Sequence, residues 1–510
     1  MDEETPLVDV VVKDDEKEWW CYWKEEWHHM WELMIPVIGT YLLEILPGIV
    51  TIILVGFFFG EEKEYLDAAS LATMMMNVFG LSIGFGLATA MDTLCSQEHG
   101  RRSNQSSSTD DDDADDDDDA GIMITYLQTG MYVLGIIFFG FVLWVHLYTG
   151  TILEYMGLPP NVCLLAGQYT QILVAGIPFL YFYELLRKTL QAQNNVRPMF
   201  VAALAANIFH IIMGILLIKS PLGIYGPAVA RLLCSISYPI FLCMAMNTTT
   251  TKTKKYNIIV TKELFQFSSS SKQQNNNKLV VSEFLSLGIP GMLQLCLEWW
   301  SFELLAFIAG LLPRPELEIG INTIIMSIGS FVYMFYLGVG VSANVCVGNA
   351  LGANQMERAH VVCQVSYTYS ILISVCMAST LLLTQRYIPH IFTSDPELID
   401  ECFRSKVLIV AAIFQVFDAM GACVQGILRG SGQQYYGAIY GFIAYLGVGI
   451  TSGIYLAFHF HLQVTGLWIG MTCALFTIAT LGTLHIFYFS PIYTKTTTNT
   501  TTDQHNTNSK

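Results

Sequence analysis

Twelve stretches of this chain run for about 20 residues or more with few charges, near residues 33–59, 67–95, 121–147, 163–187, 198–219, 223–247, 283–311, 318–347, 359–384, 398–428, 433–458 and 463–489. About 20 helical residues cross a hydrocarbon core of roughly 30 Å. In lipid every backbone N–H and C=O must be paired within the segment, which only helices and closed barrels achieve. The pattern therefore predicts an all-α polytopic membrane protein. Its composition fits: 13% of the 510 residues are charged, against roughly 25% in ordinary globular proteins.

Three hydrophilic regions divide the chain. The acidic start "MDEETPLVDVVVKDDEKEWW" lacks the basic lead-in of a cleavable signal, so residues 1–32 are expected as a cytoplasmic N-tail. Residues 248–282, including "TTTTKTKKYNIIVTKELFQF", follow the sixth apolar stretch and are expected to link two six-helix lobes, 33–247 and 283–490. The Thr- and Asn-rich end, 491–510, is read as a polar C-tail. Within the first lobe, nine aspartates in "DDDDADDDDD" (110–119) account for much of the net charge of −17. Such a run repels itself and has nothing apolar to bury, so 101–120 is expected as a disordered loop. The twelve cysteines occur singly, most within apolar stretches, and read as small buried hydrophobes.

Basic residues set the expected orientation. With the N-terminus cytoplasmic, 18 of the 25 Lys and Arg fall on the cytoplasmic side, six (Lys63, Lys219, Arg314, Arg386, Arg404, Lys406) on the other, and Arg231 inside a helix. The positive-inside rule then places both termini in the cytoplasm. The sequons at Asn104, Asn247 and Asn499 are accordingly expected to stay unglycosylated.

The two lobes also echo each other. "SQEHG" (96–100) matches "GNALG" (348–352), Gly86 matches Gly338, and "LQAQNNVRPMFVAAL" (190–204) matches "LRGSGQQYYGAIYG" (428–441). Ile35-Pro36 matches Ile289-Pro290, Gly56 matches Gly310, Gly226 matches Gly466, and Glu44 falls opposite Glu298. These matches predict lobes related by a pseudo-two-fold axis along the membrane normal. That plan suits a secondary transporter with its site near the midplane.

Acids inside apolar helices cost about 2.5–3.5 kcal/mol on insertion scales, so each is a functional candidate. Glu298, in "MLQLCLEWWSFELLAFIAGLL" (292–312), has no Lys or Arg within helical reach and is followed by Trp299 and Trp300. A carboxyl in that setting can exchange a proton near neutral pH, and aromatic faces attract cations. Together they suit a bulky organic cation. Asp418 lies mid-helix in the same lobe, and Glu303 lies five residues beyond Glu298. Glu44 precedes Pro47, whose ring frees a backbone carbonyl that some polar group must satisfy. Glu184 has Arg187 one turn away and reads as a structural pair, while Glu154 reads as solvated. Asn77, Gln294 and Tyr333 are candidate cavity donors or acceptors, and Asn207 another, each also able to serve as helix-to-helix glue.

Several of these segments, "LCLEWWSFE", "VSANVCVGNALGANQMERA", "VFDAMGACVQGILRGSGQQYYGA" and "SIGFGLATAMDTLCSQEHG", resemble the multidrug and toxin extrusion family, closest to its animal members. The resemblance spans about residues 33–489 and implies a twelve-helix antiporter that expels organic cations in exchange for protons. It implies that Glu298 and Asp418 are the exchange acids and that Glu303 is the second acid of the seventh helix. The chain departs from animal relatives in having Asp418 where they often have Glu, and Met326 where they tend to have an acid. Glu44 stands where bacterial members can have a proton-binding acid.

The expected partners are thus small organic cations, protons and the lipid bilayer, with no nucleic acid, no metal, no cofactor beyond a proton gradient, and a monomeric chain. The expected residence is the plasma membrane, or else a vesicular or vacuolar one. Alternatives within the same fold are transport of organic anions or lipid-linked sugars, or coupling to sodium. The absence of a GxxxxGK[ST] loop fits a proton gradient rather than ATP as the energy source. An intramembrane enzyme is not expected, since no nucleophile–base pair or metal cluster stands at helical spacing, and the repeated halves argue against a single-bundle receptor.

Overall fold

The computed structural model describes residues 7–59, 63–106, 116–249, 271–490 and 492, and among them it is helical without strands. Twelve helices are long and apolar enough to cross a membrane: α1 (Trp19–Phe59), α2 (Glu64–Gln105), α3 (Ile122–Leu147), α4 (Pro160–Ala192), α5 (Arg197–Ile218), α6 (Tyr225–Met246), α7 (Leu279–Ala309), α8 (Pro315–Gly352), α9 (Met356–Thr384), α10 (Val407–Gly430), α11 (Gln434–His459) and α12 (Gln463–Phe489). Prolines in the first turn start α4, α5 and α8, where the missing N–H costs nothing. The first part of the acidic run (110–115) and most of the expected inter-lobe linker and C-tail lie outside the described residues. Helical backbone resumes at Asp116 and at Ser271 on either side of these gaps.

The first helix differs from its expected start near residue 33, because its backbone is helical from Leu7 onward. Trp23 stacks on Trp27 at 5.0 Å between ring centroids, and Trp27 stacks on Tyr369 of α9 at 3.9 Å. The Tyr369 hydroxyl donates to the Trp27 carbonyl at 2.9 Å, and Arg358 donates to Glu26 at 2.6 Å. Aromatic residues four apart share one helix face, so this segment has a face to bury despite its charges.

The pseudo-two-fold relation is visible in backbone contacts. A Cβ on Gly86 would collide with Met292 of α7, and one on the matched Gly338 would collide with Ile38 of α1. Each lobe thus sets a bare helix surface from its second helix against the first helix of the other. At the end of the bundle where α1 begins and α12 ends, α2 meets α8. A Cβ on Gly100 would strike the Asn349 carbonyl, and one on Gly352 would strike the Gln97 carbonyl. Under the sequence match Gly100 exchanges with Gly352 and Gln97 with Asn349, so this is one contact made twice across an axis. After α4 and α10 the matched residues Asn194 (φ 59°) and Gly432 (φ 73°) both take the left-handed conformation that ends a helix.

Candidate functional site

The site grows from α7, where Glu298 is buried at 5% exposure in the C-lobe. The Gln425 side-chain N–H donates to Glu298 Oε2 at 3.3 Å, and Gln425 Oε1 accepts from Arg429 Nη2 at 3.3 Å. An amide therefore stands between the carboxylate and the nearest guanidinium. Tyr333 of α8 turns its hydroxyl to the same carboxylate. Asp418 lies seven residues before Gln425, two turns up the same face of α10. It is buried, faces Glu298, and has no hydrogen-bond partner among the described residues. The buried hydroxyls of Tyr336 and Tyr445 lie near Asp418 and are also unpartnered.

Two small cavities meet at Gln425. One is bounded by Tyr333, Asn344, Gln425 and Arg429 together with Asp92 of α2, so it opens between the lobes. The other lies inside the C-lobe between Gln294, Gln425, Tyr440 and Tyr445. Neither cavity is lined by Glu298 or Asp418; the two approach these carboxyls through Gln425, Tyr333 and Tyr445.

Glu298, Asp418, Tyr333 and Gln294 come together here. Glu303 stays half-buried farther along α7, without a partner among the described residues. Trp300 turns toward the N-lobe, where its indole N–H donates to the Val78 carbonyl at 2.9 Å and its ring meets Phe79 at 5.8 Å. Trp299 is half-buried and makes no ring pairing with the site among the described residues. Asn77 lies in a wide-turn segment of α2, Met76–Leu81, beside the Trp300 contact. Such segments recur at functional sites. Sequence reasoning missed Gln425, Arg429, Tyr336 and Tyr445. The spacing of Gln425 from Asp418 was the available signal, since it puts both on one face.

Glu44 has a different setting. It accepts from Tyr183 at 2.8 Å and pairs with Arg187 Nη1 at 3.0 Å. Arg187 also pairs with Glu184 and lies over the Tyr41 ring at 4.4 Å. Lys188 bonds both oxygens of Asp92 at 2.8 Å and reaches Glu184 at 3.6 Å. The Glu184–Arg187 pair expected from sequence is thus one edge of a five-residue network that includes Glu44. The carbonyl freed by Pro47, that of Leu43, accepts from the Asn207 amide at 2.8 Å, so Asn207 serves as glue between α5 and the bend in α1.

Two six-helix lobes around a polar cluster buried between membrane-spanning helices define a secondary membrane transporter. The family profile described as MatE matches residues 36–109, 121–216 and 290–454. Multidrug and toxin extrusion protein 1 of Homo sapiens is 32% identical over 447 residues, 87% of this chain and 72% of that protein. Protein DETOXIFICATION 16 of Arabidopsis thaliana is 30% identical over 470 residues, 91% and 88% of the two chains. Among solved structures, that of the eukaryotic MATE transporter AtDTX14 superposes with a TM-score of 0.80 at 25% identity, covering 93% of this chain and 98% of that one. This chain belongs to the multidrug and toxin extrusion (MATE) family of membrane transporters, and its relatives are transporters rather than enzymes.

Proposed function

We propose that the protein is a proton-coupled antiporter that exports organic cations by alternating access, with Glu298 and Asp418 as the groups for which cation and proton compete. The observation that carries this reading is the neutral contact on Glu298. It is buried against the Gln425 amide and the Tyr333 hydroxyl instead of in a direct ion pair. A carboxylate with no fixed counter-charge in direct contact, its nearest guanidinium held off by an amide, keeps attraction for a mobile one, because the low dielectric strengthens that attraction. Binding of a cation favours the ionised carboxyl, protonation removes the attraction, and rocking of the lobes exposes the site to each side in turn.

In this reading both termini are cytoplasmic, as the distribution of Lys and Arg favours. The cation is taken up on that side and released on the other. The names of the relatives, multidrug and toxin extrusion proteins, support the direction and the breadth of substrate.

The test is uptake of a labelled quaternary ammonium ion into proteoliposomes under an imposed pH gradient, with a sodium gradient as a separate arm. Uptake that follows the pH gradient and is lost in Glu298→Gln, with the folded fraction unchanged, is the expected result. Uptake driven by sodium alone, or equal in native and variant protein, would contradict it.

A further inference from the structure

The N-lobe carries a second buried charge that the cation site does not use. Arg231 lies six residues into α6, about 9 Å from its start at a rise of 1.5 Å per residue, and is 8% exposed. The other bases buried in the N-lobe network, Arg187 and Lys188, are paired with carboxylates. Arg231 has no carboxylate within ion-pair distance among the described residues, and the groups that act on its charge are Tyr169, Cys234 and Tyr238. Among the described residues the one hydrogen bond of its side chain runs from Nη1 to the Thr73 hydroxyl oxygen at 2.8 Å. A buried charge without a partner costs several kcal/mol, so a site like this calls for an anion.

What surrounds the guanidinium is a set of further donors. The Tyr169 hydroxyl, on α4, is buried and unpartnered, and its charge environment includes Arg231. His210, on α5, is fully buried with neither ring nitrogen bonded, and Arg231 acts on it as well. On α1 the chain passes this point at Gly48. Among the described residues a Cβ there would meet Arg231 Nη2 at 3.7 Å and, apart from the backbone of its own helix, nothing else within 4 Å, so the bare backbone leaves that nitrogen uncrowded on the α1 side. A phenol O–H, an imidazole N–H and the free guanidinium N–H groups, grouped around one uncompensated positive charge, match the needs of a small monoanion.

We infer that Arg231, Tyr169 and His210 form an anion-binding site in the N-lobe, which takes a monoanion the size of a chloride ion or of a carboxylate group. The carboxylate reading would extend the substrates to solutes that carry a carboxylate. The chloride reading would make the site a resident ion site. The inference goes beyond the cation-exchange reading and stands independently of it, because its readout is binding and not transport.

The experiment follows the thermal unfolding midpoint of the purified full-length protein in detergent. Chloride or acetate is titrated in against a bulky sulfonate at equal ionic strength. A ligand that binds only the folded state raises the midpoint with concentration and saturates, and this is the expected result for the native protein. The response is expected to vanish in Arg231→Gln and to need several-fold more anion in Tyr169→Phe, which removes a hydroxyl that bonds nothing. A response to chloride alone assigns an inorganic ion, and a response to acetate assigns the carboxylate class. A flat native titration with both anions overturns the inference, as does an Arg231→Gln titration that matches the native one. Should Arg231→Gln not fold, Tyr169→Phe decides: a titration unchanged from the native one overturns the site.

Discussion

The first helix of each lobe carries one acid at the matched position, Glu44 in α1 and Glu298 in α7, and the two have opposite surroundings. On the helix that faces them, Arg187 of α4 and Gln425 of α10 also correspond, each three positions before the matched leucines Leu190 and Leu428. In the N-lobe that position supplies a guanidinium to Glu44 at 3.0 Å, and in the C-lobe it supplies an amide to Glu298 at 3.3 Å. One residue difference at a repeated position thus separates an acid held in an ion pair from an acid held by an amide. In the proposed exchange the repeat provides the scaffold twice and the chemistry is placed once.

That contrast can be broken from either side. The largest effect is expected from Gln425→Arg, which gives the C-lobe the N-lobe arrangement. A fixed guanidinium against Glu298 should abolish gradient-driven cation uptake, by about 100-fold or more, while leaving the protein folded in size-exclusion chromatography. A 100-fold loss corresponds to about 2.7 kcal/mol, well within the reach of a desolvated ion pair.

Next in its effect on uptake is Arg187→Gln, the reverse exchange, which acts mainly on stability. It leaves Glu44 and Glu184 buried beside one another with only Lys188 nearby, and removing one partner of a buried pair costs about 3–5 kcal/mol. The expected outcome is a clear drop in the thermal midpoint, near the low end of that range because Glu44 keeps 18% of its side chain exposed. Uptake per folded molecule should fall far less than in Gln425→Arg.

A smaller effect is expected where the two lobes touch. Gly100→Ala puts a methyl group against the Asn349 carbonyl at the terminal end of the bundle, and this end can then no longer close. Cysteine-accessibility labelling at that end should rise several-fold. The smallest effect on transport is expected from Asn207→Ala. It leaves the Leu43 carbonyl unsatisfied at the Pro47 bend, at a cost of about 1–3 kcal/mol, and should lower the unfolding midpoint without altering the coupling of uptake to the pH gradient.

Much of this molecule can be read from its sequence because membranes impose simple lengths. The twelve helices follow from apolar runs, and the two lobes from glycines matched in order, since Gly86, Gly338, Gly100 and Gly352 each sit where a helix from the other lobe leaves no room for a side chain. Glu298 stands out as an acid with no base in helical reach, and Asp418 as an acid in the middle of an apolar helix of the same lobe. Their surroundings were less legible. The pairing of Glu44 with Arg187 joins residues 143 positions apart, and nothing in the local pattern of α1 announces it. Gln425 and Tyr445 carry no charge, so in an apolar helix they read as interface residues. The tryptophans after Glu298 read as a cation cage, whereas the 100° turn between neighbouring helix residues carries Trp300 round to α2. The aromatic face at Trp23 and Trp27 was masked by the charges between its members.

The most direct test of the central claim, that cation and proton compete for the C-lobe acid and not for its N-lobe counterpart, is proton release on substrate addition. Purified protein in weakly buffered detergent solution would be titrated with a quaternary ammonium ion while the pH is followed. The account predicts release of protons by the native protein and by Glu44→Gln, and none by Glu298→Gln. Release that persists in Glu298→Gln and disappears in Glu44→Gln would contradict it.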